Sequence, residues 1–276
     1  MKYTHDLTGK VAVVTGAGGV LCSMFAQTLA QNGAKVALLD LNYDAAKAAA
    51  EKIGDNALAV QANCLEKASL EAARDKVTER FGRVDLLING AGGNNPRGTT
   101  DDEMYDADSA KSFFDLDDSG IKFVLELNFL GTLLPTQVFA PLMLDNEGVI
   151  INVSSMNAYR PLTKIPAYSG AKSAVSNLTQ WLAVYFAKSG IRVNAIAPGF
   201  FVTNQNRALL FDDKGNPTPR TEKILRATPM GRFGEAQELC GTLMWLADNN
   251  ASGFVTGTVT VQAQNPGLNP QLLEKA

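Results

Sequence analysis

Tyr168 and Lys172 stand four positions apart. On a helix that spacing puts a phenol and an ammonium on one face, one turn from each other. A phenol with its ordinary pKa of ~10 is a poor proton carrier at neutral pH. A neighbouring ammonium favours the phenolate, and so does the positive charge of an oxidised nicotinamide. Such a pair can give or take the proton of an alcohol. Thirteen residues before Tyr168, Ser155 follows the apolar run 149–154, where a strand should end. A hydroxyl at a strand end is suited to hydrogen-bond a carbonyl or alkoxide oxygen.

A second constellation lies near the N-terminus. Residues 11–22 read as a short apolar strand, a turn containing Gly16, Gly18 and Gly19, and a helix opening at Val20, Leu21 and Cys22. Glycine permits the tight turn and lets a pyrophosphate approach the backbone. The helix N-terminus behind it offers unpaired N–H groups and the positive end of its dipole. Twenty-four residues after Gly16 the second strand candidate ends in Asp40, followed by Leu41. A carboxylate there accepts ribose hydroxyls and repels a 2′-phosphate, and no arginine is near in sequence, so NAD(H) is favoured over NADP(H). The competing role for Asp40 is to cap the helix that starts near Asn42.

These residues must be held by a scaffold, and the chain has the rhythm of one. Apolar runs at 11–15, 35–40, 58–62, 85–89, 149–154, 192–197 and 255–261 are near-continuous in Val, Ile, Leu and Ala, as parallel strands covered on both faces require. Helical patterns at 21–32, 42–53, 65–81, 121–144, 167–189 and 236–248 alternate with them, and Gly33 and Gly190 stop two of these. The alternation predicts an α/β fold, a doubly wound parallel sheet of about seven strands in one domain spanning 1–276. One excursion breaks the rhythm. The segment 93–118 is long for a connection after a strand, and its second half carries eight carboxylates and one lysine. It is either a solvated surface loop or a rim or lid over the active site, with Phe113 and Phe114 as its hydrophobic anchor.

Composition excludes several chemistries. The 276 residues contain one histidine, His5, and three cysteines, Cys22, Cys64 and Cys240. A single histidine near the N-terminus leaves no Ser-His-Asp mechanism and no histidine-rich metal centre, so no metal is expected. Three widely spaced cysteines form neither a CxxC motif nor a disulfide framework and suit a reducing, cytoplasmic setting. A net charge of −3 gives no basic face for nucleic acid. The N-terminus has no apolar core of a secretory signal. The run 123–144 is interrupted by Glu126, Asn128, Pro135 and Gln137 and reads as a buried amphipathic helix, with no membrane partner expected. His5 reads as an incidental surface residue and Cys240 as a core residue.

Together these residues resemble the short-chain dehydrogenase/reductase family over nearly the whole chain. The matching residues are Thr15-Gly16, Asn89-Gly90-Ala91-Gly92, Asn128, Ser155, Tyr168, Lys172, and Pro198-Gly199 with Thr203. The resemblance implies that Asn128 kinks its helix and holds a water in a proton relay from Lys172, and that Lys172 also binds the nicotinamide ribose. It implies that Asn89, Gly90 and Ala91 support the sheet beside the adenosine ribose, and that Pro198, Gly199 and Thr203 face the nicotinamide. A homodimer or homotetramer is the assembly it implies. There are three departures. The family's TGxxxGxG places its second and third glycines at Val20 and Cys22, while Gly18 and Gly19 come earlier. Asn63-Cys64 replaces the usual Asp-apolar pair at the adenine. The final strand continues as Val261-Gln-Ala-Gln-Asn-Pro-Gly instead of Val-Asp-Gly-Gly.

Polar residues gather where a small-molecule substrate would sit: Asn94, Asn95 and Arg97; Asn157 and Arg160; and Asn204, Asn206 and Arg207. Arginine pairs a carboxylate bidentately and Asn matches hydroxyls, so a hydroxylated anion is expected. The stretches GAGGVLCS (16–23), INGAGGNNP (88–96), FFDLD (113–117) and LNFLGTLLPTQVF (127–139) resemble the sugar-acid branch of the family, oxidoreductases of the D-mannonate/D-fructuronate type. Gluconate or polyol dehydrogenases and 3-oxoacyl carrier-protein reductases are the neighbouring enzymatic readings. A non-catalytic NAD(H) sensor or scaffold on the same fold is the reading from another class.

Overall fold

The structure, a computed structural model, describes residues 4–203, 206–226 and 228–262. Its strands are β1 Val11–Thr15, β2 Lys35–Asp40, β3 Ala57–Gln61, β4 Leu86–Asn89, β5 Val149–Val153, β6 Arg192–Pro198 and β7 Val259–Gln262. They form one parallel sheet in the order β3-β2-β1-β4-β5-β6-β7. The helices are α1 Val20–Gln31, α2 Tyr43–Ile53, α3 Lys67–Phe81, α4 Asp118–Leu125, α5 Gly131–Phe139, α6 Pro166–Tyr185, α7 Arg207–Leu210, α8 Pro219–Arg226, α9 Cys240–Ala247 and α10 Asn249–Ser252.

The period of two along each strand sorts the core into two layers. In β1, Ala12 and Val14 pack with Phe25 and Leu29 of α1, Ala46 of α2 and Leu243 of α9. Val11 and Val13 face the other way, toward Leu70 and Val77 of α3, Phe139 of α5 and Leu182 of α6. Strands covered on both sides need no polar face, which is why they read as continuous apolar runs. The strand order reverses between β1 and β4, so a crevice opens at their C-terminal ends. Every loop bearing a predicted site residue leaves the sheet at that end.

Four elements differ from the sequence reading. The helix expected at 121–144 is broken: α4 passes into a π-helical turn, Glu126–Leu130, before α5 begins. The run Asp118–Leu142 is the one helical stretch among the described residues long and apolar enough to cross a membrane. Half of its most apolar window is buried against the rest of the protein, as a core helix requires. The last strand starts at Val259, not 255, because Gly257 sits at φ +77° in a turn. His5 is no bystander: its Nδ1 lies 2.9 Å from the buried Asp248 carboxylate, tying the N-terminal segment to the start of α10. Cys240 is half-buried, accepting the Thr28 hydroxyl at 3.0 Å.

The acidic excursion keeps its place but not its expected anchor. Phe113 and Phe114 are 65% and 80% exposed, and with Tyr105 they form edge-to-face pairs on the surface. Polar ties hold the segment instead. Thr100 N–H donates to Lys164 C=O (2.9 Å), the Lys164 ammonium reaches Asp101 C=O, and Lys223 of α8 pairs with Glu103 at 3.1 Å. Asp117 N–H donates to Arg97 C=O at 3.1 Å, and a side chain at Gly120 would strike Arg97, so the base of the loop is closed. The segment therefore links the loop before α6 to α8, all at the crevice end of the sheet.

Candidate active site

At the dinucleotide end the turn is built on three glycines. Gly16 has φ +65°, and a Cβ there would lie 2.9 Å from the Ala91 backbone. Gly18 lies under α2, where a Cβ would meet Ala45 at 2.7 Å. Gly19 is the N-cap of α1 and carries no side-chain cap, so the first-turn amides around Val20 and Leu21 keep their donors for a ligand. Thr15 fastens the turn to β4 by accepting from Gly90 and Ala91 N–H (3.1 and 3.3 Å).

One of the departures, Cys22, has a visible counterpart across the turn. The Cys22 side chain, buried, fills the space over Gly90, where any Cβ would collide with its sulfur. Burial pushes the Cys22 thiol up to about 12, and Cys64 likewise, so both are packing groups and not nucleophiles. Cys64 lies against Gly131.

Asp40 does not cap α2. Asn42 does, accepting Ala45 N–H at 3.2 Å. Asp40 accepts one bond per oxygen, from Gly18 N–H (2.9 Å) and Asn42 N–H (2.8 Å), which fixes the carboxylate beside the glycine turn. Each oxygen keeps a second lone pair for a ribose hydroxyl. These residues fit NAD(H): donors where a pyrophosphate sits, a fixed carboxylate where a 2′-phosphate is repelled. Leu41 beside it is exposed. Asn63 is largely spent on the turn into α3, accepting Leu65 N–H (3.0 Å) and donating to Glu66 (2.8 Å).

At the catalytic end, Ser155 leaves β5 in extended conformation and is buried. Its hydroxyl accepts Asn157 N–H at 3.2 Å, and it lies close enough to Tyr168, in the first turn of α6, to act on the phenol. Burial raises the Tyr168 phenol above its ordinary value, and Ser155 pulls the other way. Lys172 is buried; its ammonium donates to Val153 C=O at 2.8 Å and lies 5.7 Å from the Tyr168 ring centre. Burial brings Lys172 down to about 8. The expectation that Lys172 lowers the phenol is thus corrected for the protein by itself: desolvation of the phenol dominates.

Asn128 sits inside the π-helical turn, fully buried, and its amide donates to Val124 C=O and Gly93 C=O, each at 2.8 Å, while Gly93 N–H returns to its carbonyl at 3.3 Å. A side chain taking over the carbonyl four residues back is what widens the helix there. Gly92 lets this arrangement close: a Cβ would meet Asn128 at 2.7 Å and the Lys172 ammonium at 3.2 Å. Asn128, Lys172, Tyr168 and Ser155 are therefore brought together at the ends of β4 and β5.

The predicted substrate residues divide. Asn206 is committed to its own turn, accepting Thr203 N–H and donating to Phe201 C=O, both at 2.8 Å. Asn95 caps a short 3-10 turn by accepting Arg97 N–H, and Asn94 donates to Thr99. The Arg207 guanidinium lies over Phe211. Arg97 is exposed at the foot of the loop. Arg160 is exposed too, and, like Arg97 and Arg207, makes no ion pair among the described residues. Asn157 is buried with its carbonyl oxygen unpartnered. Gly199 N–H, next to Pro198, bonds Gln262 C=O at 2.9 Å, joining the loop after β6 to β7. Asn204 and the tail from residue 263 lie outside the described residues.

The short chain dehydrogenase family model matches residues 10–213. The chain belongs to this family, and it is an oxidoreductase. An uncharacterised oxidoreductase of Haemophilus influenzae is 59% identical over 262 residues, 92% of each chain. The uncharacterised oxidoreductase UxuB of Bacillus subtilis is 51% identical over 258 residues, 92% of this chain and 93% of that one. A solved structure from Haemophilus influenza, provisionally named a D-mannonate oxidoreductase and holding NAD, superposes with a TM-score of 0.89 at 58% identity, covering 93% of this chain and 94% of that one.

Proposed function

We propose that this chain interconverts a secondary alcohol and a ketone on a hydroxylated sugar acid, of the D-mannonate/D-fructuronate kind, with NAD(H). The observation that carries the reading is the gathering of buried Ser155, Tyr168 and buried Lys172, whose ammonium lies 5.7 Å from the Tyr168 ring centre, at the crevice where Asp40 and the glycine turn fit a dinucleotide. NAD(H), when bound, supplies or accepts the hydride. Val20, Leu21 and the Asp40 carboxylate would hold its pyrophosphate and adenosine ribose, with Lys172 on the nicotinamide ribose.

The protein's own part is proton transfer and orientation. Ser155 donates toward the substrate oxygen and holds it beside Tyr168. Tyr168 gives its hydroxyl proton to that oxygen in reduction and takes it back in oxidation. Lys172, cationic and hydrogen-bonded to Val153, steadies the phenolate left behind. Asn128, locked to Gly93, anchors the path by which the proton is renewed. Arg160, exposed near Ser155 and outside every ion pair among the described residues, is a guanidinium for a substrate carboxylate, and Asn157 brings an unsatisfied amide oxygen for a hydroxyl.

The test is NADH titration followed by turnover on fructuronate, tagaturonate, 5-ketogluconate and a β-ketoacyl thioester. Turnover on fructuronate, with KM raised about 10- to 100-fold in Arg160→Ala and kcat little changed, is expected from loss of a charged hydrogen-bonded pair. Turnover confined to the thioester would replace the substrate class, and NADH binding without turnover on any ketone would favour the sensor reading. The stacked Trp181 and Tyr185 on the exposed side of α6 offer the face for a second copy in the expected dimer or tetramer. Sedimentation should show a multimer that Trp181→Glu weakens.

A further inference from the structure

The α6-facing side of β5 changes character along its length. Ile150 packs in the apolar layer with Leu182 and Ala183, but the next two residues on that side are Asn152 and Ser154, both buried. A buried polar group is unfavourable unless it is partnered, and both polar atoms of the Asn152 side chain are, although the Asn89 carbonyl oxygen beside it is not. The Asn152 carbonyl accepts from the Asn89 amide of β4 at 2.9 Å, and its own amide donates to the Thr179 hydroxyl of α6 at 2.9 Å. The Asn89 amide also donates to Thr136 of α5 at 3.0 Å. Thr136 passes on to Thr132 C=O (2.8 Å), and Thr132 to Asn128 C=O (2.9 Å). On the other arm Thr179 bonds Val175 C=O, and Ser154 bonds Lys172 C=O and the Ser176 hydroxyl. A continuous buried seam therefore runs from the element carrying Asn128, through β4 and β5, to the helix carrying Tyr168 and Lys172.

We propose that Asn152 is a positioning residue for proton transfer: its amide sets how α5 and α6 seat on the sheet, and so the distance between the Asn128 anchor and Lys172. Apolar packing tolerates sliding, whereas an amide gripping two partners in opposite directions admits one register. The inference rests on the proposed oxidoreductase mechanism, acting through Asn128 and Lys172 and touching neither substrate nor cofactor.

The experiment compares Thr179→Val, which keeps the shape and deletes the hydroxyl, with Thr179→Ser, which keeps the hydroxyl, and with Asn152→Leu. Thr179→Val and Asn152→Leu should lower kcat for ketone reduction about 10- to 100-fold, the scale of a misplacement of ~1 Å, with KM and NADH affinity unchanged and the pH midpoint of kcat displaced. Thr179→Ser should restore most of the turnover. Amide hydrogen exchange should quicken in segments 124–132 and 166–176 of Thr179→Val and stay unchanged in 11–40. Loss of thermal stability with kcat, its pH midpoint and those exchange rates as in the natural chain would overturn the proposal. If the natural chain reduces none of the ketones, the functional reading fails by itself, and the exchange result alone decides whether the seam holds the two segments.

Discussion

The two ends of the crevice are built by opposite means. At the dinucleotide end the work is done by backbone: the Gly16 turn, the uncapped amides of α1 and the close passage of Gly18 under α2. Side chains there can differ as long as the space is conserved, so Cys22 stands over Gly90 without closing the turn. At the catalytic end the work is done by side chains whose atoms are individually committed, from Ser155 and Tyr168 to Lys172 and Asn128. A site made of backbone tolerates altered letters provided the volumes match. A site made of functional groups does not.

The largest blow to the contrast comes from the catalytic end. Tyr168→Phe removes one oxygen and should lower turnover by about 10²- to 10⁴-fold, the span of general acid–base catalysis. NADH should still quench or enhance fluorescence with its original affinity; a Phe variant that keeps its turnover would refute the assignment.

Lys172 sharpens the contrast through pH. With Lys172 near 8, ketone reduction, which needs a protonated Tyr168 beside a cationic Lys172, should fall as pH rises through about 8. Lys172→Met should lack that limb in its residual pH profile. The stability sign is the reverse. The folded chain binds the Lys172 proton less tightly than the unfolded chain, so the natural protein should gain stability relative to Lys172→Met from about pH 8 up to lysine's ordinary range. Melting temperatures across that interval check it.

Gly90→Ala probes the other end. Its new methyl overlaps Cys22 and should cost about 1–3 kcal/mol as overpacking, with weaker NADH binding. Adding Cys22→Ala should recover most of the loss, and a double variant no better than the single would show that Gly90 is needed for its backbone alone. The smallest effect belongs outside both ends. Phe114→Ser on the exposed loop should shift stability by no more than about 0.5 kcal/mol, by urea titration, because its ring is 80% exposed and its ring partners are the likewise exposed Tyr105 and Phe113.

Much of this molecule is written in short-range spacing. Ser155, Tyr168 and Lys172 were legible because a strand end and a helical turn convert small separations into contact, and the β1 turn and Asp40 because a βαβ unit fixes where they meet. The rest depends on partners distant in sequence. Nothing local to Cys22 announces Gly90, and nothing near His5 announces Asp248. Asn206 looked like a substrate ligand because its type suits hydroxyls, but its own turn consumes both polar atoms. Phe113 and Phe114 looked like an anchor because aromatic residues usually find a core, while Lys164, Lys223 and backbone groups do the anchoring. Asn152 gave no signal as a lone amide in a strand; its meaning lies in three other elements.

The Cys22–Gly90 contact also couples two positions far apart in sequence. Once a sulfur occupies that gap, any side chain at 90 meets it, and restoring glycine at 22 alone leaves a hole in the floor of the crevice. Neither position can change comfortably before the other. Engineering that imports a single glycine at position 22 by sequence comparison would loosen the turn it means to repair.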